Sequence, residues 1–275
     1  MTLWNGLELP ESYFHDDNVY IIKGDSAEIL ADFPEKCVDL TVTSPPYDNL
    51  RDYNKYSFDF ERIAEELYRT HKEGGVVVWV VGDATVKGSE TGTSFKQALY
   101  FKGIGFNLHD TMIYKVSGTG AKGSNYCYWQ SFEYMFVLSK GRPTTVNRLR
   151  DKPNSRAGVL CTSNKQRRPS VNTRLHPTTG TIVAEFGIRE NVWIYTPGHG
   201  HDEYTGHPAS FPEQLAIDHI KSWSKDDDIV LDPFLGSGTT MKMAVRNNRK
   251  CIGIEISEEY CELATIRYLR SLNDH

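Results

Sequence analysis

Short β-rich runs alternate with helical stretches along this chain, and a proline-rich loop and a glycine-rich loop each close one of those runs. Together these features predict an α/β fold in which one sheet of about seven strands is flanked by helices. The strands expected are Val19 to Lys23, Val38 to Thr43, Val76 to Val81, Leu108 to Lys115, Glu133 to Ser139, Ile229 to Leu231 and Cys251 to Ile256. Each is dominated by β-branched, aromatic or other apolar residues. Helices fit between them. From Pro212 to Trp223, proline suits the first turn, while Ala216, Ile220 and Trp223 recur on one face. Ser257 followed by Glu258 and Glu259 reads as a helix start, with its acids at the positive end of the dipole.

A chain of 275 residues can bury one full α/β core and carry a modest insertion. Met1 to Pro10 show no basic start followed by a long apolar run, so no secretory signal is expected. The longest apolar stretch, Gly74 to Val81, falls far short of the roughly 20 residues that cross a bilayer. A cytoplasmic protein is the expectation. Five cysteines, Cys37, Cys127, Cys161, Cys251 and Cys261, are scattered without a Cys-x-x-Cys pair and read as buried thiols.

Net charge is −5, but it is unevenly spread. Lys140 to Gly180 holds ten basic residues against the single acid Asp151. From residue 141 to 200 the periodicity dissolves into Pro, Asn, Thr, Ser and Arg, which marks an inserted, loop-rich module. Residues 1–140 and 201–275 then form the main α/β domain. A solvated surface excursion is the plain reading of such a run, yet clustered cations in an acidic chain are what phosphate neutralisation requires.

Two motifs carry the chemistry. Asp232-Pro233-Phe234-Leu235-Gly236-Ser237-Gly238-Thr239-Thr240 follows a strand and opens a helix, an arrangement that brings backbone N–H groups close to a nucleotide-like ligand. Thr239 stands where a phosphate-cradling loop needs lysine. Glu255, about 20 residues on at the end of the next strand, can accept hydrogen bonds from two ribose hydroxyls. A nucleoside-bearing cofactor without a pyrophosphate fits this pair. The other motif, Thr43-Ser44-Pro45-Pro46-Tyr47, closes a strand. Its prolines keep the backbone extended and remove two donors, so nearby carbonyls are left to face a ligand. A rigid turn is the usual meaning of Pro-Pro, but the end of a strand in an α/β sheet is where ligands bind.

These residues resemble the amino-methylating DNA methyltransferases, whose signatures are a D/N/S-P-P-Y/F tetrapeptide and a D-P-F-x-G-S-G-T-T loop. Both are matched without a gap, and the order of tetrapeptide, basic insertion and loop is similar to the circularly permuted beta class. Gly24-Asp25, Phe132-Glu133-Tyr134 and His207-Pro208 agree with it. The resemblance implies a Rossmann-like, circularly permuted fold with S-adenosylmethionine as cofactor. Asp232, Pro233, Phe234, Gly236, Ser237, Gly238 and Thr239 would surround it, with Glu255 on the ribose, Asp25 near the adenine and Pro208 alongside. Ser44 and the Pro45 carbonyl would accept from the target amino group, Pro46 would hold the backbone, and Tyr47 would stack on a base swung out of the duplex. Double-stranded DNA would be the partner, contacted by Arg148, Arg150, Lys165, Arg167, Arg168 and Arg174. A homodimer, and a cognate restriction endonuclease acting on the same site without stable binding, are compatible with this.

Serine at the first tetrapeptide position resembles the members acting on cytosine N4, with adenine N6 the alternative. Cytosine C5 chemistry is excluded, because it uses a Pro-Cys nucleophile and none of the cysteines follows a proline. A non-catalytic nucleic-acid-binding subunit would be expected to have degraded motifs, and both are intact; an RNA or protein methyltransferase stays open, since the insertion does not separate DNA from RNA. His199, His201, His207, Asp202 and Glu203 lack the spacing of a metal site, so no metal is expected. Tyr126, Tyr128 and Trp129 could stack on bases or simply pack.

Overall fold

The computed structural model describes residues 1–46, 58–116, 128–161, 180–196 and 212–273. In chain order the elements begin with β1 (Thr2–Trp4), β2 (Leu7–Leu9), β3 (Phe14–His15), β4 (Val19–Lys23), α1 (Ser26–Ala31), β5 (Val38–Thr43) and α2 (Phe60–Thr70). The middle of the chain supplies β6 (His71–Val81), β7 (Thr85–Val86), β8 (Ser89–Glu90), α3 (Thr93–Gly103), β9 (Asn107–Val116) and β10 (Phe132–Ser139). There follow β11 (Arg150–Pro153), β12 (Phe186–Ile188), β13 (Val192–Tyr195), α4 (Glu213–Trp223), β14 (Ile229–Asp232), α5 (Thr239–Arg246), β15 (Lys250–Glu255) and α6 (Glu258–Ser271).

The main sheet has nine strands in the order β13-β9-β10-β6-β5-β14-β15-β4-β3. All of the expected strands lie in it. The two additions are β3, which pairs antiparallel with β4 over two residues, and β13, which pairs parallel with β9. The Val192–Tyr195 run was hidden inside a segment whose neighbours lack periodicity. Strands β4, β15, β14, β5 and β6 run parallel to one another, whereas β10 is antiparallel to both β6 and β9.

Val76 to Val81 are all fully buried, as a strand covered on both faces must be. Alternate residues divide between two helical layers. Val77, Trp79 and Val81 join Leu30 of α1, Leu67 of α2 and Phe101 of α3 in one cluster. On the opposite face α4, α5 and α6 pack side by side, with His219 of α4 against Met135 of β10. Pro212 stands at the N-cap position of α4, one residue before the first-turn place expected for it, and Ser257 stands at the N-cap position of α6 with Glu258 and Glu259 in its first turn; neither makes a side-chain capping hydrogen bond.

The chain forms two compact units, Met1–Asn147 with Asn191–His275, and Arg148–Glu190. The second is narrower than the 141–200 segment read from sequence. Thr144 is held by Gly74 (3.0 Å), the Asn147 N–H donates to Ser222 (2.8 Å), and β13 belongs to the main sheet. Within the second unit β11 pairs with β12, and Asn154 Nδ2 donates to the Ala184 carbonyl at 2.8 Å.

The fully buried Trp79 donates from Nε1 to Gln97 Oε1 at 2.8 Å, amid the rings of Phe60, Phe101 and Phe234. Replacing it with phenylalanine removes volume and orphans a buried acceptor. Trp79→Phe is expected to cost about 2 to 4 kcal/mol in urea denaturation, and adding Gln97→Leu to return about 1 kcal/mol, because an absent polar group costs less than an unpaired one.

Candidate active site

Parallel strands deliver their C-terminal ends to one edge of the sheet, and the strand order decides what meets there. Reading along β6-β5-β14-β15-β4, the residues that leave that edge are Gly82 and Asp83, then Ser44 to Pro46, then Asp232 onward, then Glu255, then Gly24 and Asp25. Residues scattered over most of the chain become neighbours. Because β10 is antiparallel, its start at Phe132 reaches the same edge. A shallow recess there is lined by Gly82, Asp83, Glu90, Gln130, Phe132 and Tyr134.

The two motif loops are joined directly. Thr43 Oγ1 donates to Asp232 Oδ1 at 2.7 Å, and Thr240 Oγ1 donates to the Val42 carbonyl at 3.0 Å. Asp232 Oδ1 also accepts from the Phe234 N–H at 3.1 Å. Asp232 is 3 % exposed, and burial pushes its carboxyl up to about 6 despite these donors. Its carboxylate therefore points inward, tying β14 to β5.

Glu255 accepts from the Gly236 N–H at Oε2 (2.8 Å) and from the Ser257 N–H at Oε1 (2.9 Å). Burial raises its pKa, and the N–H groups of Ser257, Gly236 and Ile256 oppose the shift. Asp25 caps α1 by accepting from the Ala27 N–H at 2.8 Å, and the next residue, Ser26, donates from Oγ to the Pro233 carbonyl. The Gly24 N–H reaches the Glu255 carbonyl at 2.9 Å. Asp25, Glu255 and the Asp232 loop are thus one hydrogen-bonded assembly.

Within the loop, Gly236 and Gly238 adopt φ of +50° and +79°, a region costly for residues with a Cβ. A Cβ on Gly238 would lie 3.1 Å from both Ala264 Cβ and Met241 Cε. Phe234 packs edge-on against Phe58 and Trp79, so its ring serves the core beneath the loop. Ser237 is buried and takes hydrogen bonds from Arg267, while Thr239 opens α5. Sequence reasoning gave no role to Thr43 or Thr240, although both stand inside the motifs, and none to Ser26 or Arg267. Ser26, beside Asp25, had a local signal, and Arg267 had none.

Ser44 and Pro46 are half-buried and Pro45 is buried. Tyr47, Pro208, Lys165, Arg167, Arg168 and Arg174 lie outside the described residues, as do Tyr126 and the His199 to His207 group. In the second unit Arg148 and Arg150 are exposed, Arg189 pairs with Asp151, and Lys152 pairs with Glu190. No cluster that could hold a metal ion occurs among the described residues.

A family model for DNA methylases matches residues 38–266. The orphan methyltransferase M.BamHII of Bacillus amyloliquefaciens is 55% identical over 234 residues, which cover 84% of this chain and 88% of that protein. Among solved structures, TTHA0409 of Thermus thermophilus complexed with S-adenosyl-L-methionine is 27% identical with a TM-score of 0.63, covering 93% of this chain and 95% of that one. The cytosine-N4-specific PvuII DNA methyltransferase, 21% identical over 94% of both chains with a TM-score of 0.68, shares the fold.

The inward carboxyl of Asp232 makes stability depend on pH. A carboxyl raised from 3.8 to about 6 adds stability that is complete below the lower value and lost as pH rises through the upper one. Asp232→Asn cannot ionise. Its stability relative to the unmodified protein should therefore climb by on the order of 3 kcal/mol between pH about 4 and 6.5 and stay level above. Urea denaturation at a series of pH values reads this, and a level difference throughout would refute the burial argument.

Proposed function

Because this chain belongs to the DNA methylase family, we propose that it is a site-specific DNA methyltransferase acting on the exocyclic N4 of cytosine, with S-adenosylmethionine as its cofactor. The observation that carries the reading is the Thr43 to Asp232 hydrogen bond at 2.7 Å, which ties the strand end that leads into Ser44-Pro45-Pro46 to the start of the glycine-rich loop. Methyl donor and methyl acceptor have to meet in such a place.

The residues present suit the cofactor. Glycines at positive φ let a ligand approach the backbone of the loop, and no lysine awaits a phosphate. Glu255, oriented by backbone N–H groups on both oxygens, offers its carboxylate as the acceptor for a pair of ribose hydroxyls. Asp25, already capping α1, has a second oxygen for the adenine side. Bound there, S-adenosylmethionine supplies an electrophilic sulfonium methyl.

An exocyclic amine is a weak nucleophile because its lone pair is delocalised into the ring. Ser44 and the Pro45 carbonyl act as acceptors for its protons and favour a pyramidal nitrogen, a matter of orientation and electrostatics rather than covalent catalysis. Tyr47 stacks on the extruded base and offsets part of the stacking lost from the duplex. The choice of cytosine over adenine rests on serine at the first tetrapeptide position.

Arg148 and Arg150 contact DNA phosphates. Replacing either by alanine should make the slope of log K against log salt shallower by about 1, leaving S-adenosylmethionine affinity unchanged; an unaltered slope removes that residue from the interface. The reaction itself is tested by incubating the protein with S-adenosylmethionine and unmethylated duplex DNA, digesting to nucleosides and identifying the product by mass spectrometry. N4-methylcytosine is expected. N6-methyladenine would overturn the base assignment while keeping the chemistry, and product on RNA alone would overturn the substrate class.

A further inference from the structure

Arg267 projects from α6 to the rear of the glycine-rich loop and is only 7 % exposed. Its Nη1 donates to the Ser237 carbonyl at 2.6 Å and to Ser237 Oγ at 2.8 Å. Its Nη2 faces Glu213 Oε1 at 3.5 Å, an oxygen that also accepts from Lys242 Nζ at 2.8 Å. One guanidinium therefore links α6, the loop and the first turn of α4, with Lys242 of α5 on the same carboxylate. One turn earlier on α6, Ala264 lies under Gly238, where a Cβ would come within 3.1 Å. Consecutive loop residues rest on successive turns of a single helix.

The need for such a support follows from the loop's composition. Ser237 stands between two glycines at positive φ, and glycine flanks leave a peptide plane free to rotate. Four hydrogen bonds oppose that rotation: Gly236 N–H to Glu255, Gly238 N–H to the Leu235 carbonyl at 2.9 Å, Lys242 N–H to the Gly238 carbonyl at 2.9 Å, and Arg267 to the Ser237 carbonyl. Glu255 and Leu235 hold donors of the loop, and the Lys242 N–H holds the carbonyl that opens α5. Among these four, Arg267 is the one that holds the carbonyl between the two glycines.

We infer that Arg267 is a positioning residue for the cofactor: it touches no reactant, and it pre-organises the Gly236-Ser237-Gly238 backbone so that the ligand does not have to order it on binding. The inference rests on the reading of the Asp232 to Thr239 loop as the S-adenosylmethionine site. It also changes the part given to Ser237, whose hydroxyl engages Arg267.

The test uses the full-length protein, with S-adenosylmethionine binding followed by calorimetry and steady-state kinetics in which S-adenosylmethionine and DNA are varied in turn, the other held at saturation. For Arg267→Met, Kd and KM for S-adenosylmethionine are expected to rise about tenfold or more, with kcat within about twofold and KM for DNA unchanged. Ser237→Ala keeps the carbonyl bond and should lose less than about threefold. A folded Arg267→Met protein with unmodified affinity, or one whose kcat falls while KM for the cofactor stays constant, overturns the assignment. Arg267→Lys keeps the cation but not the forked donors, and serves if the methionine variant does not fold; a loss of about threefold supports the proposal and unchanged affinity overturns it. Failure of the unmodified protein to bind S-adenosylmethionine would instead sink the site assignment itself.

Discussion

The site depends on a buried carboxylate that must have a partner. Asp232 and Thr43 are 189 positions apart in sequence, yet β14 and β5 are adjacent strands, with Leu231 opposite Thr41, and their ends converge on one hydrogen bond. A carboxyl taken out of water without donors would be costly, so the Thr43 hydroxyl and the Phe234 N–H are structural requirements as much as contacts. Satisfying that one group fixes the entry to the glycine-rich loop and the exit from β5 together. The remainder builds outward from it: Ser26 holds the Pro233 carbonyl, Glu255 holds Gly236, and Arg267 holds Ser237.

The aspartate that opens the motif has two duties that sequence could not separate. A carboxylate at a strand end beside a glycine loop reads equally as a ligand for the cofactor or as a brace for the loop. In the structure its Oδ1 accepts from the Thr43 hydroxyl and the Phe234 N–H, which braces the loop, while Glu255 accepts from the Gly236 and Ser257 N–H groups. Likewise Phe234, read as part of the cofactor loop, turns its ring to Phe58 and Trp79 and couples the loop to the aromatic core.

What was legible in the sequence was whatever local chemistry dictates. Apolar runs such as Val76 to Val81 can only be buried strands, and Pro212 and Ser257 mark helix starts by their own backbone and dipole preferences. Illegible were features created by tertiary contact. Val192–Tyr195 is an ordinary β-type run that becomes the ninth strand because β9 offers an open edge and α4 accepts the Trp193 ring 4.6 Å from His219. Arg267 looks like any cation on a surface helix until α6 is laid against the loop. Residues 141–147 look like loop for the same reason, yet Thr144 and Asn147 are tied to β6 and α4.

Chain order is the least important property of this site. In a parallel sheet the neighbours at the C-terminal edge are set by which strands hydrogen-bond, and no energetic contribution refers to the sequence in which the chain visits them. Here β5, which leads into the tetrapeptide, comes first and β14, which leads into the glycine-rich loop, comes long afterwards, with the Arg148–Glu190 unit between them in sequence. Any chain order that leaves β5 beside β14, and β14 beside β15, rebuilds the same Thr43, Asp232 and Glu255 geometry. Connections between strands are therefore free to lengthen at little energetic cost, since loop closure grows only with the logarithm of length. A large basic segment can be carried between β10 and β13 without disturbing the pairing of β5 with β14.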